Sequence, residues 1–270
     1  MNNKIKDVLC NKRLVMICSG IVVGVAILTG GIYFTYNKIE TAKIEKAKLI
    51  AEQEKKAEED RIQKEKEERA EYLATSDIAY LTFDDGPSSV NTPKVLEILE
   101  KNNIKATFFM VGDMVSKNPE IVKEIYEAGH TIANHTSSHK YRYSSSEAFL
   151  EDIQDTDTKI SDAIGIEYKS LFVRCPGGSY GKTMQKETLS ENGYIDMNWT
   201  GLSGDSENGG KIDSKYLLDR IDKTVGDNQY EIILMHDIKS LTAENLQKII
   251  DSIKEKGYVF EALTEETPFK

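Results

Sequence analysis

Between Leu14 and Asn37 the chain runs for 24 residues without one charged side chain, and this stretch constrains how everything after it is organised. At ~1.5 Å rise per residue a helix of that length reaches about 36 Å, enough to cross the hydrocarbon layer of a membrane. A cleaved secretory signal is the competing reading, because a basic start followed by an apolar core describes one too. The core here is longer than such signals use. Tyr33, Tyr36 and Lys38, which follow it, suit a membrane interface better than a small-residue cleavage site. Lys4, Lys6, Lys12 and Arg13 precede the span. The positive-inside rule therefore predicts a cytoplasmic tip over residues 1–13, a transmembrane helix over 14–37, and a remainder lying outside the cell membrane.

Charge divides that remainder. Residues 38–71 hold 10 basic and 11 acidic side chains and no Gly or Pro. Strong helix formers with opposite charges four apart, such as Glu52 with Lys56 and Glu65 with Arg69, predict a solvated helical stalk of about 50 Å. Its apolar positions Ile39, Ile44, Leu49, Ile50 and Ile62 keep no a/d heptad, so a stalk-mediated coiled-coil dimer is allowed but not favoured. The stalk reads as a spacer that carries the next domain away from the membrane. Residues 72–270 carry a net charge of −12 within a chain of −10. A domain this acidic repels phosphate backbones, which argues against nucleic acid as its ligand. Of the cysteines at 10, 18 and 175, only Cys175 falls in that domain. Neither a disulfide framework nor a cysteine-built zinc site can form there, and Cys175 reads as a small buried hydrophobe.

From Ile78 onward short apolar runs alternate with amphipathic stretches. The runs at 78–83, 106–111, 131–134, 171–174, 194–198, 232–236 and 258–263 predict strands. Helices are expected at 92–102, after Asn118, and at 145–164, 184–192, 213–225 and 242–256, and Ser144-Ser145-Ser146-Glu147 can cap the third of these. Seven strands interleaved with helices imply an α/β fold with a parallel sheet. Crossovers after every strand favour a slightly short, distorted (β/α) barrel over an open doubly wound sheet. Barrels place their chemistry at the C-terminal ends of strands. Asp84-Asp85, His135, Arg174 and His236 all fall at or just after predicted strand ends.

Two adjacent aspartates before Gly86-Pro87 make a sharp exit from a strand, and both stay ionised only if a cation or an arginine compensates them. His135-Thr-Ser-Ser-His139 offers two imidazoles that can share a metal. Two His and one carboxylate leave coordination positions open, which is the pattern of a catalytic site. Alone the His pair is a weak signal. It gains weight because the chain has only four histidines, at 130, 135, 139 and 236. His130, inside EAGH, reads as a packed turn residue.

TFDDGP (82–87), HTSSH (135–139), RCPGG (174–178) and LMH (234–236), in this order, resemble the motifs of the polysaccharide deacetylases, the NodB-like carbohydrate esterases. The resemblance covers roughly residues 76–265. It implies a distorted β/α barrel in which Asp85, His135 and His139 bind a divalent metal, usually zinc, with cobalt, manganese, iron or nickel as alternatives. It further implies that Asp84 is the general base toward the attacking water, that Arg174 keeps Asp84 ionised and oriented, and that His236 is the general acid for the departing amine. The backbone N–H of Gly177 would meet the oxyanion and Leu234 would wall the acetyl-methyl pocket.

Two departures stand out. Family members often carry Tyr after the Arg-x-Pro turn, where this chain has Gly177-Gly178, so side-chain contact with the sugar is lost or passes to Tyr180. The Asp-Trp pair of the fourth motif is missing. Asp205 is the expected partner of His236, with Asp196 competing, and Trp199, the only tryptophan, either stacks on a sugar or belongs to the core. The implied reaction is removal of N-acetyl groups from an extracellular glycan, with N-acetylglucosamine of peptidoglycan leading. N-acetylmuramic acid, poly-N-acetylglucosamine, chitooligosaccharides and acetylated xylan remain alternatives, as does an inactive glycan-binding envelope scaffold.

Overall fold

The structure, a computed structural model, describes residues 3–207 and 212–268. Met1 and Asn2 of the expected cytoplasmic tip, and the side chains of residues 3–15, 17 and 18, lie outside that description. The chain divides into two compact units, Met1–Ala70 and Glu71–Lys270.

The first unit is helical throughout its described length, within α1 (Asn3–Thr75). From Ser19 onward this helix is long and apolar enough to cross a membrane. The side chains of Ile21, Val25, Ile27 and Leu28 stand exposed, with no protein packed over them. Farther along, Arg61 pairs with Glu58 at 2.6 Å and with Glu65 at 3.3 Å, and Lys64 pairs with Glu68 at 3.3 Å. Pairs of this kind, three and four apart on an exposed helix, each stabilise it by only ~0.2–0.5 kcal/mol. The absence of Gly and Pro does as much to keep the segment helical.

The second unit is built on β1 (Ile78–Asp84), whose seven residues are all buried. A near-continuous apolar strand is what a parallel sheet covered on both faces requires. The ladder runs β5-β4-β3-β2-β1-β7-β6, all parallel. Its members are β2 (Thr107–Met110), β3 (Thr131–Asn134), β4 (Phe172–Val173), β5 (Ile195–Asp196), β6 (Gly201–Leu202) and β7 (Tyr230–His236). β7 accompanies β1 along its whole length, from Ile78 opposite Tyr230 to Asp84 opposite His236. The other edge of β1 is shared. β8 (Val259–Glu261) pairs with Ile78–Tyr80, and β2 pairs with Thr82–Asp84.

Helices α2 (Thr92–Lys101), α4 (Pro119–Glu127), α5 (Ser146–Ile164), α6 (Thr183–Glu191), α7 (Ser214–Thr224) and α8 (Ser240–Glu255) follow the strands as the sequence predicts. α5 begins where the serine run places it, with Ser145 Oγ accepting from the Ala148 N–H at 3.3 Å. The short α3 (Gly112–Lys117) and the two-residue β6 are additions to the expected elements. Neither is long enough to show a periodicity.

Strand parity sorts the core. Ala79, Leu81 and Phe83 pack in one cluster with Val95, Leu99, Leu246 and Ile250 of the helices. Ile78 and Tyr80 belong to a second cluster with Phe109, Ala133, Phe172, Met197 and Leu263 inside the curl of the sheet. Because side chains alternate, Thr82 and Asp84 share the inner face with Ile78 and Tyr80. The polar end of that inner column is where the site is built. The curl is left open between β5 and β6, which pair only with β4 and β7 respectively. Residues 197–200 cross this seam, tied by Met197 N to Val173 O and by Thr200 N to Ile232 O, both at 2.9 Å.

His130 is packed as expected. Its Nδ1 accepts from the Ala106 N–H at 3.1 Å and its ring meets Phe108 edge-on. Burial, helped by the nearby Lys105 charge, pulls its pKa down to about 4, so the ring is neutral.

Candidate active site

Asp84 ends the inner column of β1. Its Oδ1 accepts from Arg174 Nη1 at 2.7 Å. Arg174, which follows β4, is 0% exposed, and its donors are spent on fixed partners. Nη1 also donates to Thr82 Oγ1 at 2.8 Å, Nε to Met197 O at 3.0 Å and Nη2 to Asn198 O at 3.2 Å. The guanidinium lies 4.0 Å above the Phe109 ring. A buried arginine with this many bonds holds its neighbour in one orientation.

Asp85 leaves the strand with φ +73, a left-handed conformation that turns its carboxylate away from that of Asp84. Its Oδ1 lies 3.1 Å from His139 Nε2 and 3.5 Å from His135 Nε2. One atom from each of the three residues falls within 4.8 Å of the others. The Nδ1–H of His135 donates to Arg174 O at 2.7 Å. That bond fixes the tautomer and leaves Nε2 with its lone pair toward Asp85. Asp85 Oδ1 is itself buried and has no hydrogen-bond partner. An orphaned carboxylate oxygen beside two available imidazole nitrogens fits a divalent metal in both donor type and spacing.

The His135–His139 segment is a loop with Thr136 and His139 at positive φ, and α5 fastens it. Asp152 Oδ2 accepts from Ser137 N, Ser138 N, Ser138 Oγ and Tyr143 Oη at 2.7–3.2 Å.

His236 ends β7 beside Asp84, with Nε2 3.8 Å from Asp85 Oδ2. Its Nδ1–H donates to Asp205 Oδ1 at 2.7 Å, while Asp205 Oδ2 accepts from His236 N at 2.7 Å and from Thr242 Oγ1 at 2.6 Å. Burial pulls the imidazole down. The hydrogen bond and charge of Asp205, with the charges of Asp84 and Asp85, more than reverse that and raise it to about 8. Asp196, the competing candidate, instead accepts from Ser179 Oγ and Asn198 Nδ2. Next to His236 opens a cavity of about 200 Å³ lined by Trp199, Leu202, Asp205, Leu234 and others.

Gly177 and Gly178 both adopt positive φ, +70 and +78. A Cβ at 177 would come within 2.9 Å of the Tyr141 ring, and one at 178 within 3.1 Å of the Trp199 ring. Two aromatic side chains therefore flank the turn from either side. Among the described residues the Gly177 N–H has no hydrogen-bond partner, since Gly178 N makes the turn's bond to Cys175 O. Tyr180 stands 70% exposed beside Lys186. Cys175 is buried, and desolvation together with Asp196 pushes its thiol up to about 12, so it is inert at neutral pH.

Sequence reasoning missed Thr82, Asp152, Thr242, Tyr141 and Asp237. Asp237 is buried behind the Asp84–Pro87 turn, with Oδ2 accepting from Thr92 Oγ1. A Cβ at Gly86 would overlap its carboxyl at 2.3 Å, so only glycine fits there. Burial pushes Asp237 up to about 7.

The polysaccharide deacetylase family model matches residues 73–194. A peptidoglycan-N-acetylglucosamine deacetylase of Bacillus cereus is 34% identical over 197 residues, covering 72% of this chain and 89% of that protein. The peptidoglycan-N-acetylmuramic acid deacetylase PdaA of Bacillus subtilis is 30% identical over 184 residues, covering 68% of this chain and 69% of PdaA. The crystal structure of the catalytic domain of a peptidoglycan N-acetylglucosamine deacetylase from Eubacterium rectale superposes with a TM-score of 0.64 at 31% identity, covering 71% of this chain and 90% of that one.

Proposed function

The chain belongs to the polysaccharide deacetylase family and is a deacetylase of peptidoglycan or a related glycan, and we propose that the sugar it deacetylates is N-acetylglucosamine within peptidoglycan. The choice of sugar is supported by the 34% identical peptidoglycan-N-acetylglucosamine deacetylase of Bacillus cereus, and the deacetylase chemistry most by the register of β1 and β7. It sets Asp84 beside His236 with the Asp85–His135–His139 cluster next to both.

In this reading Asp85, His135 and His139 hold a divalent metal. Zinc suits two imidazoles and a carboxylate best, and cobalt, manganese, iron or nickel suits them as well. Bound there, the metal supplies Lewis-acid polarisation of the acetyl carbonyl and acidifies a water. The chain's own groups do the rest. Asp84, held in place by Arg174, takes the proton of the attacking water. His236, with its pKa raised to about 8, is largely protonated at neutral pH and delivers its Nε2 proton to the departing amine. The free N–H of Gly177 meets the oxyanion, and Leu234 and Trp199 bound the space for the methyl group. The apolar helix anchors the chain with its first residues in the cytoplasm, and the charged stalk spaces the catalytic domain toward the cell wall.

The test is acetate release from purified peptidoglycan by the full chain in detergent, with mass spectrometry of the muropeptides. Loss of one acetyl from glucosamine supports the proposal, and loss from muramic acid transfers it to that sugar. A metal-loaded chain that releases acetate from neither peptidoglycan nor chitooligosaccharides refutes the deacetylase reading and leaves the scaffold. Two further results are expected. Chelation abolishes turnover and re-addition of zinc restores it. His139→Ala loses both metal and turnover, measured by elemental analysis alongside the acetate assay, because removing one of three protein ligands leaves too few to retain the ion.

A further inference from the structure

Tyr141 lies two residues beyond His139 in the loop that carries the clustered histidines, and it is 59% exposed. An exposed tyrosine gains nothing by packing there, yet its position is fixed from three sides. Its ring meets the His139 ring edge-on at 5.5 Å between centroids. Lys182 Nζ stands 5.9 Å from its centroid while donating to Pro176 O at 2.7 Å. A Cβ on Gly177 would come within 2.9 Å of the ring. The glycine pair thus makes room for an aromatic residue supplied by a different loop, and Trp199 occupies the matching position over Gly178.

We propose that Tyr141 is a substrate-binding residue of this enzyme, offering its free ring face to a pyranose of the glycan chain on the His139 side of the site. It takes over the contact that Gly177-Gly178 cannot make, and Tyr180 is not required for it. The chemistry is that of a sugar face. The C–H groups of a β-linked N-acetylhexosamine carry small positive charges that lie well over an electron-rich ring, and a tyrosine with two side-chain torsions loses little entropy on being covered. The inference rests on the deacetylase reading for its choice of ligand but not for its test.

The probe is the β-1,4-linked tetramer of N-acetylglucosamine, used with the full chain in detergent. For Tyr141→Ala we expect the KM for the tetramer to rise about tenfold with kcat changed less than about twofold, and Tyr141→Phe to restore KM because it keeps the ring. Metal content and Tm stay at the wild-type level, and Tyr126→Ala, an exposed tyrosine on α4, leaves KM unchanged. Binding of the tetramer to the metal-free chain, followed by calorimetry, weakens in parallel. This second reading separates the two claims. If the wild type binds the tetramer but releases acetate from neither it nor peptidoglycan, the deacetylase reading fails while Tyr141 is still judged by the binding constants. Equal tetramer affinity in wild type and Tyr141→Ala, a Tyr141→Phe as weak as Tyr141→Ala, or no binding by the wild type overturns the proposal. So does a loss of metal or of Tm that accounts for the whole effect.

Discussion

Asp84→Asn is expected to keep its metal and to lose turnover by about 10³-fold, within the range that one positioned acid–base group contributes. Asp84 is not one of the three clustered residues that could hold a metal, so elemental analysis should find the ion undiminished. The amide can still accept from Arg174 at the position of Oδ1, so the site keeps its shape. What it loses is the carboxylate that pairs with the buried Arg174 and lies opposite His236 in the sheet. An amide cannot take a proton from water at neutral pH. Stability should fall as well, because a fully buried guanidinium then faces a neutral partner. A variant that releases acetate at the wild-type rate would remove Asp84 from the mechanism.

Arg174→Met is expected to destabilise the second unit by about 3–5 kcal/mol, the cost of leaving one member of a buried pair uncompensated. With the guanidinium gone, Asp84 Oδ1 loses its 2.7 Å donor, and the carbonyls of Met197 and Asn198 lose theirs. Trp199, the single tryptophan, lies 5.8 Å from the guanidinium carbon and reports the unfolding by fluorescence. The double variant Asp84→Leu, Arg174→Met should recover most of the stability while staying inactive, since exchanging a buried ion pair for apolar groups of similar volume is often neutral. A single variant as stable as wild type, or a double variant less stable than either single one, would contradict this account.

The parts of the molecule readable from the sequence were those governed by local pattern. β1 and β7 showed as apolar runs because both faces of a parallel strand are covered, and the serine run before α5 showed because a helix start needs a side-chain acceptor. The clustered Asp85, His135 and His139 were legible because a site able to hold a metal restricts residue type and because histidine is scarce here. What escaped was set by the tertiary fold. The choice between Asp205 and Asp196 depends on strand order: Asp205 follows β6, which pairs with β7, whereas Asp196 ends β5 on the far side of the seam, and no local pattern encodes that. Asp152 looks like one more acidic residue on a solvated helix until four donors are seen converging on one of its oxygens. Asp237 follows His236 directly, and only the shape of the turn opposite gives it a role. Tyr141 was hidden by a departure from pattern: two glycines stood where a tyrosine was looked for, and its replacement comes from 36 positions earlier in the chain.

Arg174 grips residues 197 and 198 through their main-chain carbonyls, and a carbonyl is present whatever the side chain. The strip that bridges β5 and β6 can therefore drift in sequence without loosening the ion pair at Asp84. Trp199 in that strip also lines the cavity beside His236. Mutation is thus free to remodel this cavity wall while Asp84 and His236 stay where they are. The shape of that cavity can change by single steps, each of them leaving the Asp84–Arg174 pair intact.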